Sequence, residues 1–177
     1  GAPSPSAAMI RYLAVLLLCA SSLAGQAAKP TVAFGAYLDT YYAYDTGRPE
    51  ARDRAFTTQA VRHNEFNINL AHVEATLTGE RVRGRVALQA GTAVQANYAG
   101  EPALGVNSGP TVARALEEAY VGVRLAPKLW VDGGVYFSHI GNESWISRDN
   151  PTYTRSFTAD YTPYYSSGVK LTWSPSS

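Results

Sequence analysis

The chain has 177 residues, room for one domain and hardly for two. An apolar content of 46% excludes a disordered tract, and 15 Lys and Arg against 14 Asp and Glu exclude the clustered basic excess of a nucleic-acid binder. Cys19 is the single cysteine, so an intrachain disulfide and a cysteine-based metal site are both ruled out.

In chain order, residues 1–27 read as upstream residues plus a secretory signal peptide. Met9 is the expected start, Arg11 supplies the positive n-region, and Leu13 to Ala20 form a short apolar h-region. Gly25-Gln26-Ala27 places small residues where a signal peptidase reads, so cleavage is expected after Ala27. The apolar run falls short of the roughly 20 residues that a spanning helix needs.

Residues 28–177 then alternate with period two in one segment after another. Over 32–44, Val32, Phe34, Ala36, Leu38, Tyr42 and Tyr44 oppose Tyr37, Asp39 and Tyr41. Over 65–78 the alternation slips once: Phe66, Ile68 and Leu70 share a face that Ala71, Val73, Ala75 and Leu77 then take over, which predicts a bulge near Leu70–Ala71. Asn67, Asn69, His72, Glu74 and Thr76 face the other way. Over 81–95 an uncharged row (Val82, Gly84, Val86, Leu88, Ala90, Thr92, Val94) opposes Arg81, Arg83, Arg85, Gln89 and Gln95. Strands are further predicted over 116–125 (Val121 and Val123 opposite Glu118 and Arg124) and 129–138 (Val131 and Val135 opposite Trp130 and Asp132). The last two are predicted over 155–162 (Phe157, Ala159 and Tyr161 opposite Asp160) and 167–173 (Val169, Leu171 and Trp173 opposite Lys170).

Short connections at 79–80, 126–128 and 163–165 alternate with long ones at 45–64, 97–114 and 139–154 that are rich in Gly, Pro, Asn and charge. A membrane barrel sorts its periplasmic turns and extracellular loops in this way, whereas a soluble sandwich or lipocalin-like barrel has no reason to. The expected fold is therefore all-β: an incomplete antiparallel up-and-down transmembrane β-barrel of about seven strands with long outer loops and short periplasmic turns.

Several stretches resemble the OmpL-like β-barrel porin family. The first is Phe34-Gly35-Ala36-Tyr37-Leu38-Asp39-Thr40-Tyr41-Tyr42, followed by Phe66-Asn67-Ile68-Asn69-Leu70-Ala71-His72-Val73 and Leu116-Glu117-Glu118-Ala119-Tyr120-Val121-Gly122. The most specific is Gly133-Gly134-Val135-Tyr136-Phe137-Ser138-His139-Ile140-Gly141-Asn142-Glu143-Ser144, and the likeness continues through Asn150 to Arg155, Tyr161-Thr162-Pro163 and Gly168-Val169-Lys170. It covers nearly all of the chain after residue 27. Members of that family are longer and close a complete barrel, so the resemblance implies that 28–177 is the N-terminal part of a porin.

With the apolar rows toward outer-membrane lipid, the polar rows line a water-filled lumen. The expected pore-lining residues are Asp39, Glu74, Arg81, Arg83, Arg85, Gln89, Glu118, Arg124, Asp132, Asp160 and Lys170. Loop 139–154, with His139, Asn142, Glu143, Arg148 and Asp149, is a candidate constriction. Passive diffusion of small hydrophilic solutes or ions follows. A closed structural or adhesive barrel and a soluble secreted binder stand as alternatives, and homo-oligomerisation is left open. Catalysis is not expected, because Ser138, His139 and Asp149 lack any nucleophile–base arrangement. The three histidines lie in separate segments without metal-ligand spacing, and no cofactor is implied.

Overall fold

The computed structural model describes residues 29–99 and 114–175. The expected signal peptide lies outside the described residues, as does most of the second long connection. Six antiparallel strands follow one another in a single sheet: β1 (Thr31–Tyr42), β2 (Phe66–Thr78), β3 (Val82–Ala90), β4 (Leu116–Ala126), β5 (Leu129–Phe137) and β6 (Tyr165–Trp173). Each strand pairs with its sequence neighbours and β1 does not pair with β6, so the sheet is an open section of an up-and-down barrel. Strand lengths of 9 to 13 residues match the roughly 9–11 that a tilted strand needs to cross hydrocarbon.

The connections keep their sorting. Gly79–Arg81 and Pro127–Lys128 turn tightly at one end of the sheet, the latter with Lys128 at a left-handed φ of 68°. Residues 43–65 and 138–164, with 91–99 and 114–115 of the connection between β3 and β4, lie at the other end.

Three expectations change. The segment 155–162 is not a strand, and six strands rather than seven are formed among the described residues. Ser156 caps a turn instead: its Oγ accepts from Ala159 N–H at 3.2 Å, its carbonyl accepts from Ala159 and Asp160, and a 3-10 turn follows at Ala159–Tyr161. Local capping of this kind competes with strand pairing. As a result, 163–164 ends one long connection, Tyr165 already opens β6, and no turn between strands falls at 163–165.

The row 81–95 stops at Ala90. Gly91 has φ 142°, and a Cβ there would lie 2.3 Å from the Asn69 carbonyl oxygen, so the chain leaves the sheet and enters helix α1 (Thr92–Asn97). Val94 consequently joins the buried core and not an outer row.

The bulge in β2 falls at Asn69, one residue earlier than predicted: Asp39 pairs with Leu70 and Thr40 with Ile68. The shift turns Leu70 inward, where it is 2% exposed. It packs there with Val94, Tyr98, Trp145 and Ile146 from two long connections, with Phe137 at the end of β5 drawn in against them.

The two faces of the sheet differ as the alternation requires. Phe34 (84% exposed), Val86 (51%) and Leu88 (48%) are uncovered, with Leu38, Val73, Val121, Val169, Leu171 and Trp173 on the same outer rows. Uncovered apolar rows of this kind on β1, β2, β3, β4 and β6 mark a surface that meets another apolar phase. The opposite face holds the charges, and the long connections fold onto it.

Candidate functional site

The inner face carries a belt of ion pairs fixed by strand register. Arg83, Gly122 and Asp132 lie side by side on β3, β4 and β5, with Lys170 next on β6. Arg83 grips Asp132 with two parallel bonds, Nε to Oδ1 at 2.7 Å and Nη2 to Oδ2 at 2.5 Å, while its guanidinium lies 4.5 Å from the Trp130 ring centre. Lys170 Nζ stands 3.9 Å from Asp132 Oδ2 and 4.4 Å from the Tyr136 ring centre.

Glycine at 122 makes this grip fit. A Cβ there would sit 2.1 Å from Asp132 Oδ1 and 3.1 Å from Arg83 Cγ. Gly122→Ala is expected to destabilise the sheet by about 1–3 kcal/mol, as overpacking does, and a lowered urea midpoint of the refolded protein would measure it.

Toward the long loops, Arg85 bridges Glu74 on β2 and Glu118 on β4, the latter at 2.9 Å. Gly35 on β1 leaves room for Glu74, whose Oε1 would lie 2.6 Å from a Cβ at that position. Glu118 also accepts the Phe137 N–H at 3.0 Å. Next to these, His72 Nδ1 is in direct contact with Glu117, and His72 Nε2 is 3.6 Å from Glu74.

Simple alternation sends Glu117 outward. A register shift between Ala87 and Leu88 pairs them with Glu118 and Leu116, and the extra residue, Glu117, is turned inward. The sequence signal for it was the doubled acid Glu117-Glu118, which period two cannot place on one face.

Asp39 belongs to the loop-side end of the wall. It accepts from Asn69 Nδ2 (2.7 Å), Ser147 Oγ (3.0 Å) and Tyr153 Oη (3.1 Å), and is buried among them. Burial, and then the Asp39 carboxylate, push the Tyr153 phenol well above its ordinary range. Gln89 reaches Tyr98 Oη and the Arg114 carbonyl beside α1.

The other expected wall residues sit elsewhere. Arg124 pairs with Glu80 at 3.0 Å on the short-turn rim. Arg81 is an exposed turn residue, because β3 begins only at Val82. Asp160 leaves the wall with its lost strand and instead pairs with Arg155 at 3.2 Å among the outer connections.

Connection 138–164 does lie against the inner face, through a subset of its residues. Trp145, Ile146 and Ser147 are buried. Arg148 extends over the Tyr37 ring at 5.0 Å and pairs with Asp149 at 3.3 Å. Both line a cavity of about 240 Å³ together with His72, Glu74 and Arg85. His139 and Asn142 are exposed. Glu143 accepts the Ser156 N–H at 2.9 Å and also bonds the Ser156 hydroxyl, and these bonds hold its carboxyl below the usual carboxylate range.

Arg155, not anticipated from the sequence, ties the three long connections together. Its Nη2 lies 2.9 Å from Thr58 Oγ1, 3.0 Å from Asn97 Oδ1 and 3.2 Å from Asp160. Burial pulls Arg155 below the ordinary arginine value, opposed by Tyr164 and Asp160, and pushes the Tyr164 phenol up to about 12. No metal-ligating cluster occurs among the described residues.

A family model described as putative beta-barrel porin-2, OmpL-like, matches residues 31–177. No curated protein and no solved structure matches the chain.

Proposed function

The chain belongs to the putative beta-barrel porin-2, OmpL-like family, and from that premise we propose that it forms part of an outer-membrane porin wall. Its role is passive diffusion of small hydrophilic solutes or ions through a water-filled lumen. One observation carries the reading: the outer rows at Val86, Leu88 and Val121 are apolar and uncovered, while Glu74, Arg83, Arg85, Glu118 and Asp132 share the opposite face. In lipid every backbone polar group needs a partner, so a spanning sheet closes on itself. Closure around this section turns the ion pairs onto water. Fixed opposite charges across such a lumen orient water and sort small polar solutes. The same face supports a membrane wall over a soluble secreted binder, which would bury its apolar rows.

Stepwise conductance in planar bilayers from the refolded full-length protein is the expected result; silence under every refolding condition would reject diffusion. A closed structural barrel is favoured by one feature, the apolar core that Trp145, Ile146 and Tyr98 build over the inner face. If that core only narrows the lumen, deleting residues 143–149 raises the unit conductance. A barrel that stays silent before and after the deletion is closed by design.

A further inference from the structure

We propose that the lumen is polarised along its axis: anions gather at the short-turn mouth and cations in the loop-side half, so the ion that passes best depends on which mouth faces the more dilute solution. This polarity rests on the porin reading, since only a water-filled lumen feels it.

Two mirrored triads carry it. On the row nearer the short turns, Asp132 lies between two cations, Arg83 at 2.7 Å and Lys170 at 3.9 Å. Two residues further along β3, toward the long connections, Arg85 lies between two acids, Glu74 and Glu118. The first triad is one positive charge in excess and the second one negative charge.

Each end of the wall extends its own sign. Lys29, Arg81, Arg83, Arg124, Lys128 and Lys170 stand at the short-turn end, where Glu80 and Asp132 are the only acids among the described residues. Exposure sharpens the difference, because Asp132 is 0% exposed while the Arg83 and Lys170 side chains keep 30% and 29%. Farther in, Asp39 and Glu117 join Glu74 and Glu118, against Arg85 and His72. The Asp39 carboxylate accepts from the neutral groups of Asn69, Ser147 and Tyr153, and no cation pairs with it among the described residues. The long connections do not reverse the balance. Residues 43–65 hold four acids and four arginines, residues 138–164 three acids and two arginines, and Arg114 is the one further cation described there.

A net charge of +1 thus conceals two ends of opposite sign. Arg124 and Glu117 are seven residues apart on β4, roughly 23 Å, or about 18 Å along the axis of a barrel whose strands tilt by about 40°. That exceeds the Debye length of about 10 Å at 0.1 M salt, so the two ends act on ions separately. A solute need not touch the charged atoms, because a low-dielectric wall focuses their field into the lumen. Concentrated salt screens the end that it bathes, so the preference is set by the end that meets the dilute solution.

Reversal potentials of single channels test the idea. The refolded full-length protein is held in a planar bilayer between about 0.1 M and about 1 M potassium chloride, and the gradient is then reversed across the same channel by perfusion. With the dilute solution at one mouth, cations should be favoured about threefold or more; with it at the other, anions should be favoured by a similar factor, the enrichment that roughly one kT of potential produces. Insertion direction does not matter, because one channel is read both ways. Arg81→Glu/Lys128→Glu/Lys170→Gln leaves three cations against four acids at the short-turn end. Arg81 and Lys128 are turn residues and Arg83 still grips Asp132, so the wall stays intact. This variant should favour cations in both gradient directions. A channel that keeps one preference through the reversal overturns the proposal and leaves the porin reading standing, and so does a variant that still switches. A membrane silent under every refolding condition rejects both.

Discussion

Arginine at Val86 is expected to destabilise the lipid-inserted barrel by about 2–4 kcal/mol, the cost of a cation on the lipid face at the bilayer midplane. Val86 is the middle residue of β3 and pairs with Ala75 and Ala119, so it stands among small outer-row neighbours and far from either strand end. A long side chain there cannot carry its charge to the headgroups without crossing hydrocarbon. Leu125, one residue from the short-turn end of β4, provides the internal control: arginine at that depth should cost only about 0–1 kcal/mol. Urea titration of both variants in vesicles, followed by tryptophan fluorescence, reads the difference. The depth dependence matters more than either value, because a soluble sheet would show no gradient along the strand. Equal and negligible costs at both positions would mean that the outer rows do not meet lipid, and the porin reading would fail with them.

The strands were legible because a barrel wall is a two-solvent object. Each residue of β1 or β3 faces one environment, and period two records which. The apolar set Val32, Phe34 and Leu38 and the charged set Arg83 and Arg85 could be assigned from spacing alone, as could the sorting of the connections. What period two cannot record is where the count breaks. The bulges at Asn69 and Glu117 each insert one residue, and each turns inward a side chain that alternation sends out. Leu70 thereby becomes a core residue, and Glu117 becomes the partner of His72.

The loop chemistry was hidden for a different reason. Phe157, Ala159 and Tyr161 alternate as a strand would, yet Ser156 satisfies the local backbone as a turn cap, and Asp160 is carried out of the wall to Arg155. Contacts such as Arg155 with Thr58 and Asn97 join segments far apart in the chain, and no spacing within either segment encodes them.

Replacing Arg83 with Met is expected to cost about 3–5 kcal/mol, the penalty for stripping a buried carboxylate of its partner. Asp132 is 0% exposed, and without Arg83 its nearest cation is Lys170 at 3.9 Å, too long for a direct hydrogen bond. The reverse change should be milder. Arg83 keeps 30% of its side chain exposed, so in Asp132→Asn its guanidinium can take water, and about 1–3 kcal/mol is expected. The double variant Arg83→Met/Asp132→Leu removes both members of the pair flanking Gly122 and should recover most of the loss, because the cost lies in the orphaned carboxylate and not in the absence of a bridge. A double-mutant cycle built on urea midpoints measures all three corners against the parent. Equal costs for the two single changes would mean that Asp132 reaches water as readily as Arg83, and that neither partner is needed to hold β3, β4 and β5 in register.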